Sequence, residues 1–365
     1  MKAIIIDTFG FYDFRTKYIY NELVENGYDV TILSSDFEHL GKKYRTSVRD
    51  NTVFLHAKSY RKNLSFARLR SHIAFAKTVY KELIVRKPDL IYCFLPINSL
   101  GKYVYKFKKR FPDTKIYFDI CDLWPESLPT AQWIKKLLFS WRRLRDKHLH
   151  CADKIFLECE YYKQFLPSRL HYVTAYLCKE RREIEYLHEG KTLEFVYLGS
   201  INSIIDTDGI VELLSEVNKA RPIRVHIIGG GEQEDVFLKK LSDAQIDTMN
   251  HGKIFDDGEK DKIIAQCHFG INMYKAGLSI GLTMKSLDYF CRGLPVLSRN
   301  IYDTKNLIRE YECGIDAEAE SSVEKLIATN EESWENMHNN ACDVCEKYFS
   351  IAAYQRVLKN NLENS

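Results

Sequence analysis

A short stretch around Lys285 combines residue types that bind phosphate and ribose. Gly281 permits close approach of the backbone to a ligand, and Thr283 is a suitable N-cap for the helix predicted after it. Lys285 lies one turn inside that helix, near its free amides, which suits a phosphate group. Asp288 follows three residues later, on the same side of the helix. This pattern predicts a nucleoside-diphosphate site, and the alternative is an ordinary helix–strand unit with a solvated Lys285–Asp288 pair.

A second candidate site is the sequence D-L-W-P-E-S, which spans residues 122–127 and follows a strand predicted over residues 115–120. Ligands bind at the carboxyl ends of strands in parallel sheets. Pro125 and Pro129 exclude a helix through this loop, so its side chains are held in irregular backbone. Asp122 and Glu126 are the carboxylates of this loop and our candidates for a catalytic role.

Residues 130–145 predict an amphipathic helix with tryptophan and leucine on one face and lysine and arginine on the other. This composition is typical of a helix that lies in a membrane interface. A core helix with a solvated basic face is the alternative. The residues that we expect at the membrane are Trp133, Lys135, Lys136, Trp141, Arg142 and Arg143.

The elements that must position these residues alternate between strand and helix. A strand over 2–7, a helix over 14–26 and a strand over 28–33 predict the start of a doubly wound parallel sheet, without a G-x-G-x-x-G fingerprint. Gly10 lies in the first loop, and Arg15 in the first helical turn faces the ligand side or is merely solvated. A second series of strands and helices begins at Leu193.

Because the series of strands and helices starts again at Leu193, the sequence predicts two domains. We expect an α/β protein with two Rossmann-like, doubly wound domains facing across a cleft, one over residues 1–176 and the other over residues 177–349. The polar stretch 179–191 is the predicted linker, and a last helix, about 350–365, packs back on the first domain. Strands are predicted over 193–198, 223–228 and 269–273, and helices over 208–219, 234–242 and 258–266.

Bulk composition excludes several protein classes. The chain has 365 residues and is 45% hydrophobic, which excludes a disordered chain. It has no apolar run long enough to span a membrane and no signal peptide, so we expect a cytosolic protein. The ten cysteines are scattered and fit reduced, buried thiols, and Cys342 and Cys345 form a lone C-x-x-C pair that does not indicate a metal site.

Charge is distributed unevenly along the chain. Residues 1–180 contain 32 Lys/Arg and 19 Asp/Glu, a balance of +13, whereas residues 181–365 contain 21 and 31, a balance of −10. The basic half predicts an anionic partner such as a membrane surface or a phospholipid-linked substrate. No basic-aromatic motif of a nucleic-acid-binding module is present, so we expect no nucleic-acid partner.

These motifs together resemble the GT-B glycosyltransferases, and most closely glycosyltransferase family 4 in the branch that builds bacterial O-antigen and capsular polysaccharide. Residues 285–296, K-S-L-D-Y-F-C-R-G-L-P-V, are similar to the family pattern K-x-x-E-Y-x-x-x-G-x-P-V. The D-L-W-P-E-S loop and residues 251–254, H-G-K-I, match further segments. The resemblance covers nearly the whole chain.

The resemblance implies a retaining, metal-independent hexosyl or N-acetylhexosaminyl transferase (EC 2.4) acting on a lipid-linked glycan at the inner face of the cytoplasmic membrane. The donor is a nucleotide sugar, UDP- or GDP-linked, bound by the second domain, and no cofactor is implied. Lys285 and the amides near Gly281 and Leu282 would bind diphosphate, Asp288 the ribose, and Asp122 the reacting sugar or acceptor. The full donor set is Gly199, Ser200, Gly230, Lys253, Ile254, Lys275, Gly281, Leu282, Thr283, Lys285 and Asp288, with Gly10 and Arg15 on the acceptor side.

Several positions depart from the family pattern. Asp288 replaces the usual Glu, Ile280 stands where a Glu often contacts the donor sugar, and Cys121 precedes Asp122 where many members have His. Gly199-Ser200 also lacks the usual Arg and Lys, whose charge Lys275 would supply. These departures leave open a catalytically weak or inactive GT-B protein that serves as a membrane-associated partner, and a GT-B epimerase is a further alternative.

Overall fold

In the computed structural model of the chain, the described residues are 1–10, 13–46, 48–63, 65–95, 97–127, 138–188 and 190–362. They form two compact units. The first contains Met1–Tyr176 and Gln355–Ser365, and the second contains Leu177–Tyr354. The last helix therefore begins in the second unit and ends in the first.

The first unit is a seven-stranded parallel sheet with helices, in the strand order β3-β2-β1-β4-β5-β6-β7. β4 is buried at all six positions, as expected for a central parallel strand covered on both faces. A short 3-10 helix, Glu160–Phe165, precedes the last strand. The elements are β1 Lys2–Ile6, α1 Asp13–Glu25, β2 Asp29–Ser35, β3 Thr52–Leu55, α2 Phe66–Arg86, β4 Leu90–Leu95, α3 Asn98–Arg110, β5 Lys115–Ile120, α4 Phe139–Leu149, β6 Lys154–Leu157 and β7 Tyr172–Thr174.

The second unit is a six-stranded parallel sheet in the order β10-β9-β8-β11-β12-β13. Its last helices are separated by a π-helical turn, Cys345–Phe349. The elements are β8 Leu193–Ser200, α5 Thr207–Asn218, β9 Ile223–Gly230, α6 Glu234–Asp243, β10 Asp247–Asn250, α7 Asp257–Ile264, β11 Phe269–Met273, α8 Met284–Phe290, β12 Val296–Arg299, α9 Tyr302–Tyr311, β13 Gly314–Asp316, α10 Ser322–Ala328, α11 Glu331–Val344 and α12 Ile351–Leu362.

The strand order creates one reversal point in each sheet. In the first sheet β1 lies between β2 and β4, and in the second β8 lies between β9 and β11. At such a point the loops leave the carboxyl ends of adjacent strands in opposite directions, which opens a crevice for a ligand. Asp7 to Gly10 follow β1, and Gly199 and Ser200 end β8, so both sets of candidate residues lie at these points.

The described residues of the predicted linker, 179–188, 190 and 191, belong to the second unit and pack against it. In this stretch, which contains no helix or strand among its described residues, the Arg182 amide donates to the Cys291 carbonyl and the Leu187 amide donates to the Ala265 carbonyl, both at 2.8 Å. Arg182 also pairs with Asp261 at 2.5 Å. The predicted linker is therefore bound along the second unit.

Candidate functional site

Thr283 caps helix α8, as predicted from its residue type. Its hydroxyl accepts a hydrogen bond from the Ser286 amide at 3.2 Å. The buried Asn272 amide, from β11, donates to the hydroxyls of Thr283 and Ser286, at 2.8 Å each. This polar cluster fixes the start of α8 against the sheet. α8 has only seven residues, so its dipole is small and Lys285 is the main positive feature of this segment.

Lys285 is 8% exposed and lies among tyrosines. Its ammonium donates a hydrogen bond to the Tyr197 hydroxyl at 2.7 Å and lies 5.3 Å from the centre of the Tyr274 ring. Among the described residues, no carboxylate pairs with it. Burial penalises the charged form and lowers the pKa of Lys285 to about 7. Such a lysine is set to receive an anion.

Glycines at the carboxyl ends of β8 and β9 make room for two lysines. A Cβ at Gly199 would meet Lys285 Cε at 3.3 Å, and a Cβ at Gly230 would meet Lys253 Cε at 3.1 Å. The two strands pair with Gly199 opposite Gly229 and with Ser200 opposite Gly230. The fold thus brings Gly199 to Lys285 and Gly230 to Lys253.

The other predicted donor residues differ in exposure. Lys275, Ser200 and Lys253 are exposed, and Leu282 and Ile254 are half-buried. Gly281 is buried, and its carbonyl accepts a hydrogen bond from the Asp303 amide at 2.8 Å.

Asp288 belongs to a network of ion pairs. Arg292, whose side chain is fully buried, donates to it at 3.1 Å and also contacts Asp257 and Asp261 at 3.1 and 2.8 Å. Lys179 makes a further ion pair with the Asp288 carboxylate. Asp288 is thus oriented by two cations, neither of which the sequence pattern indicated as its partner.

In the first unit, Asp122 is held by its own loop. The Ser127 hydroxyl donates to its carboxylate, and the Trp124 amide donates to its carbonyl at 3.1 Å. Burial raises the pKa of Asp122, and hydrogen bonds from the Ser127 and Trp124 side chains to its carboxylate oppose that effect. Cys121 is 3% exposed, and burial raises the pKa of its thiol, which makes it a poor nucleophile.

Glu126 and Arg15 both form ion pairs within the first unit. Glu126 accepts from Arg145 at 2.9 and 3.2 Å and pairs with Arg142 at 3.2 Å. Arg15 is 1% exposed and donates to both oxygens of Asp119 at 2.8 and 2.9 Å. These are the environments of structural ion pairs. Gly10 has φ +66°, a conformation that favours glycine, and its amide donates to Asp7 at 3.1 Å.

Sequence reasoning missed several polar residues at the carboxyl edge of the first sheet. Glu158 directly follows β6, and desolvation raises its pKa to about 8 despite the opposing charge of Arg15. His39, Arg68 and His72 also lie in the segments that follow or face these strand ends. The available signal was the position of these residues just after an apolar strand, or in the first turns of a helix.

The expected membrane residues divide into two groups. Trp133, Lys135 and Lys136 lie outside the described residues. Trp141 is half-buried on α4, and Arg143 is exposed. Arg142 is committed to Glu126 and Asp146, at 3.2 and 3.5 Å. No helix in the described ranges is both long and apolar enough to cross a bilayer.

Comparison with known proteins shows that the fold of this chain is similar to that of several solved structures. No protein-family model and no curated protein matches the chain. The solved structure of the lipopolysaccharide outer core galactosyltransferase WaaB in its apo form is 14% identical, with a TM-score of 0.69, over 100% of this chain and 99% of that one. Sucrose-phosphate synthase from Thermosynechococcus elongatus is 10% identical, with a TM-score of 0.68, over 100% and 98%.

A third solved structure is Anabaena HepE in complex with UDP and glucose. It is 10% identical, with a TM-score of 0.64, over all of both chains. At these identities the likeness concerns the fold. Two parallel-sheet α/β units, together with similarity to these structures over the full chain, show that this protein has the GT-B fold, built from two Rossmann-like domains.

Proposed function

We propose that the protein is a glycosyltransferase that uses a nucleotide-diphosphate sugar. The observation that carries this proposal is Lys285, a buried cation at the reversal point of the second sheet with no carboxylate partner among the described residues. A buried charge needs a counter-charge, and the diphosphate of a nucleotide sugar would supply it. HepE, which was solved with UDP and glucose, shares the fold.

The remaining donor residues have roles that follow from their chemistry. Gly199 allows a diphosphate to approach the backbone beside Lys285, with Lys253 and Lys275 as further cations. At Gly230 a diphosphate would have to displace the Glu234 carboxylate, whose Oε2 lies 2.7 Å from the position of a Cβ there. Asp288 would accept hydrogen bonds from ribose hydroxyls, which would compete with Lys179 for the same oxygens. His251 to Ile254 would border the base. The donor is UDP- or GDP-linked in this proposal.

We further propose that the first unit binds the acceptor and that Asp122 lies beside the reacting group. Retention of configuration, independence from metals and membership of glycosyltransferase family 4 rest on the motif resemblance. So do the lipid-linked glycan acceptor, the role in bacterial surface polysaccharide and the location at the inner face of the membrane. WaaB, a lipopolysaccharide galactosyltransferase of the same fold, is consistent with these roles.

The donor proposal is tested by titrating the protein with UDP, GDP, CMP and dTDP sugars, with thermal shift as the screen and calorimetry for affinity. We expect one nucleotide class to bind, and Lys285→Ala to weaken it by about 10- to 100-fold, equivalent to about 1.5–3 kcal/mol for a hydrogen bond to a charged group. The matched control is Lys219→Ala, because Lys219 is 68% exposed and pairs with Glu216. Absence of binding to all four classes, or equal binding by both variants, would refute the proposal.

The alternative is a GT-B protein that has lost catalysis and acts as a membrane-associated partner. Two observations favour it: Glu126 is engaged by Arg145, and Cys121 offers no accessible thiol beside Asp122. The alternative predicts nucleotide-independent membrane binding and no sugar transfer or donor hydrolysis. Turnover of any bound donor, abolished by Asp122→Asn, would exclude it.

A further inference from the structure

Five residues of the first unit form a polar cluster around Phe9, which we call the Phe9 cluster. It consists of Thr8 and Phe9 after β1, Arg45 in the segment after β2, and Arg68 and His72 in the first two turns of α2. The β1 end is the reversal point of the first sheet, where ligands bind in such folds. The cluster is separate in sequence and in unit from the proposed donor site.

Contacts join the members directly. Arg45 Nη2 donates to the Phe9 carbonyl at 3.0 Å, and the His72 ring lies 5.6 Å from the Phe9 ring. Arg68 Nε donates to His72 Nε2 at 3.4 Å, and the guanidinium lies 4.0 Å from the centre of the Trp124 ring. Arg68 and His72 are 6% and 2% exposed. Arg68 and His72 are therefore buried and held in place before any ligand binds, whereas Arg45 is half-buried.

Three buried polar atoms of the cluster have no hydrogen-bond partner among the described residues: Thr8 Oγ1, Arg45 Nε and His72 Nδ1. An unmade buried hydrogen bond costs about 1–3 kcal/mol, so three beside one phenylalanine require an explanation. Thr8 and Arg45 supply donors, and His72 Nδ1 is a donor in one tautomer. A ligand that accepts hydrogen bonds would satisfy all three.

The charge of the cluster is positive. Arg68 makes no ion pair within 4.0 Å in the described part of the chain; it donates instead to the Asn63 carbonyl at 3.0 Å. Asp122 attracts Arg68 electrostatically, but its carboxylate already accepts hydrogen bonds from Ser127 and Trp124. Burial lowers the pKa of His72 to about 3, and the Arg68 charge adds to this, so His72 is neutral at neutral pH. A water molecule could satisfy the unpaired atoms but not the arginine charge.

We infer that the Phe9 cluster is an oxyanion-binding site that takes a phosphate or carboxylate group of the acceptor. Arg68 supplies the charge, and Thr8, Arg45 and His72 supply hydrogen bonds. A phosphate ester and a uronic acid present the same chemistry to these groups, namely acceptor oxygens that share a negative charge. Assignment of the anion to an acceptor rests on the proposed function, whereas the site itself does not.

The test follows individual histidines by NMR. The full-length protein is prepared with carbon-13-labelled histidine, and the His72 and His39 resonances are assigned from His72→Gln and His39→Gln. Inorganic phosphate is titrated in one experiment and acetate in another, each first without nucleotide and then with whichever nucleotide the donor screen shows to bind. We expect the His72 resonance to shift saturably, with Arg68→Gln raising the apparent Kd about tenfold through loss of one charged hydrogen bond.

The internal reference is the His188–His268 pair of the second unit, whose stacked rings lie 3.8 Å apart and to which no binding role is assigned. Its resonances should not move with either anion. A saturable shift with phosphate alone indicates a phosphate ester, and one with acetate alone a carboxylate; both support the site. Arg68→Lys keeps the positive charge and should bind the anion more tightly than Arg68→Gln. It also provides a usable variant if Arg68→Gln folds poorly.

No saturable shift with either anion, or the same Kd in wild type and both Arg68 variants, would overturn the inference. The readout does not depend on nucleotide binding. If the donor panel fails but His72 responds to phosphate, the glycosyltransferase proposal falls and the oxyanion site stands. If nucleotide binds and the His72 resonance shifts with neither anion, the glycosyltransferase proposal stands and the oxyanion site is refuted.

Discussion

Lys285 is surrounded by tyrosine hydroxyls and rings rather than by carboxylates. Burial lowers its pKa to about 7, and Tyr197 accepts its hydrogen bond at 2.7 Å. A neutral amine in this position is tolerated in the ligand-free protein, whereas a bound diphosphate favours the ammonium form. Donor binding should therefore take up a proton whenever the free lysine is neutral.

This coupling predicts a pH-dependent donor affinity. Below about pH 7 the lysine is already charged and affinity should be flat, whereas above it affinity should fall by at most about tenfold per pH unit, because one proton is bound with the ligand. A nucleotide sugar is the right probe, because its diphosphate has no group that titrates near neutrality. Calorimetry in two buffers of different ionisation enthalpy measures the number of protons that the protein takes up when the donor binds.

Lys285→Arg serves as the control, because a guanidinium stays charged throughout this range. Its affinity should not change with pH. A pH-independent affinity of the wild-type protein would contradict the coupling, even if the donor binds.

At the scale of elements, helix α8 is held from both ends. Asn272 and Thr283 fix its start, and Arg292, just after its last residue, contacts carboxylates on α7 and α8. Arg292 is fully buried, whereas Asp257, Asp261 and Asp288 are 39, 18 and 17% exposed. Removing the arginine leaves carboxylates that water can partly hydrate.

We therefore expect Arg292→Met to loosen α8 without unfolding the protein. The cost should be about 2 kcal/mol, below the 3–5 kcal/mol of a fully buried pair, because the remaining charges are partly hydrated. Hydrogen exchange of the α8 amides, read by mass spectrometry, should be about 30-fold faster through local opening. This local readout is preferable to one melting curve, because two units need not unfold together.

The matched control is Arg224→Ala, which removes an arginine that is 37% exposed and pairs with Asp247, itself 55% exposed. Exposed pairs contribute about 0–1 kcal/mol, so exchange in α8 should be unchanged. Equal effects of the two substitutions would show that the Arg292 network does not stabilise this helix.

At the scale of the whole molecule, the chain has a basic first half and an acidic second half, with balances of +13 (32 against 19) and −10 (21 against 31). Trp141 and Arg143 on α4 belong to the basic half, and Arg143 is exposed. An anionic surface attracts the basic half and not the acidic half.

We expect the protein to float with vesicles that contain anionic lipid and not with neutral ones. At about 1 M salt, where the screening length is about 3 Å, flotation should be lost if charge dominates. Trp133→Ala with Trp141→Ala should reduce it further by removing apolar contacts with the interface. Equal recovery with neutral and anionic vesicles would remove the support for a peripheral membrane protein.

Local features of the sequence predicted the elements well. Strands β5 and β11 have the bounds expected from their apolar runs, and Thr283 caps its helix. β10 was not predicted, because Asp247–Asn250 is a mostly exposed edge strand without an apolar pattern. Helix α2 starts at Phe66, directly after Ser65, whose side chain caps it.

The sequence by itself determined the alternation of strands and helices, the repetition of that pattern and the residue types at the ends of the strands. These follow from periodicity and capping, which act over a few residues. Only the tertiary structure decided which charges meet: Arg15 pairs with Asp119, 104 positions away, and Arg145 with Glu126. It also assembled the Phe9 cluster from three separate segments and left Lys285 without a carboxylate in the described chain. Burial and pairing are properties of the packed molecule, and they set the charge state of each candidate residue.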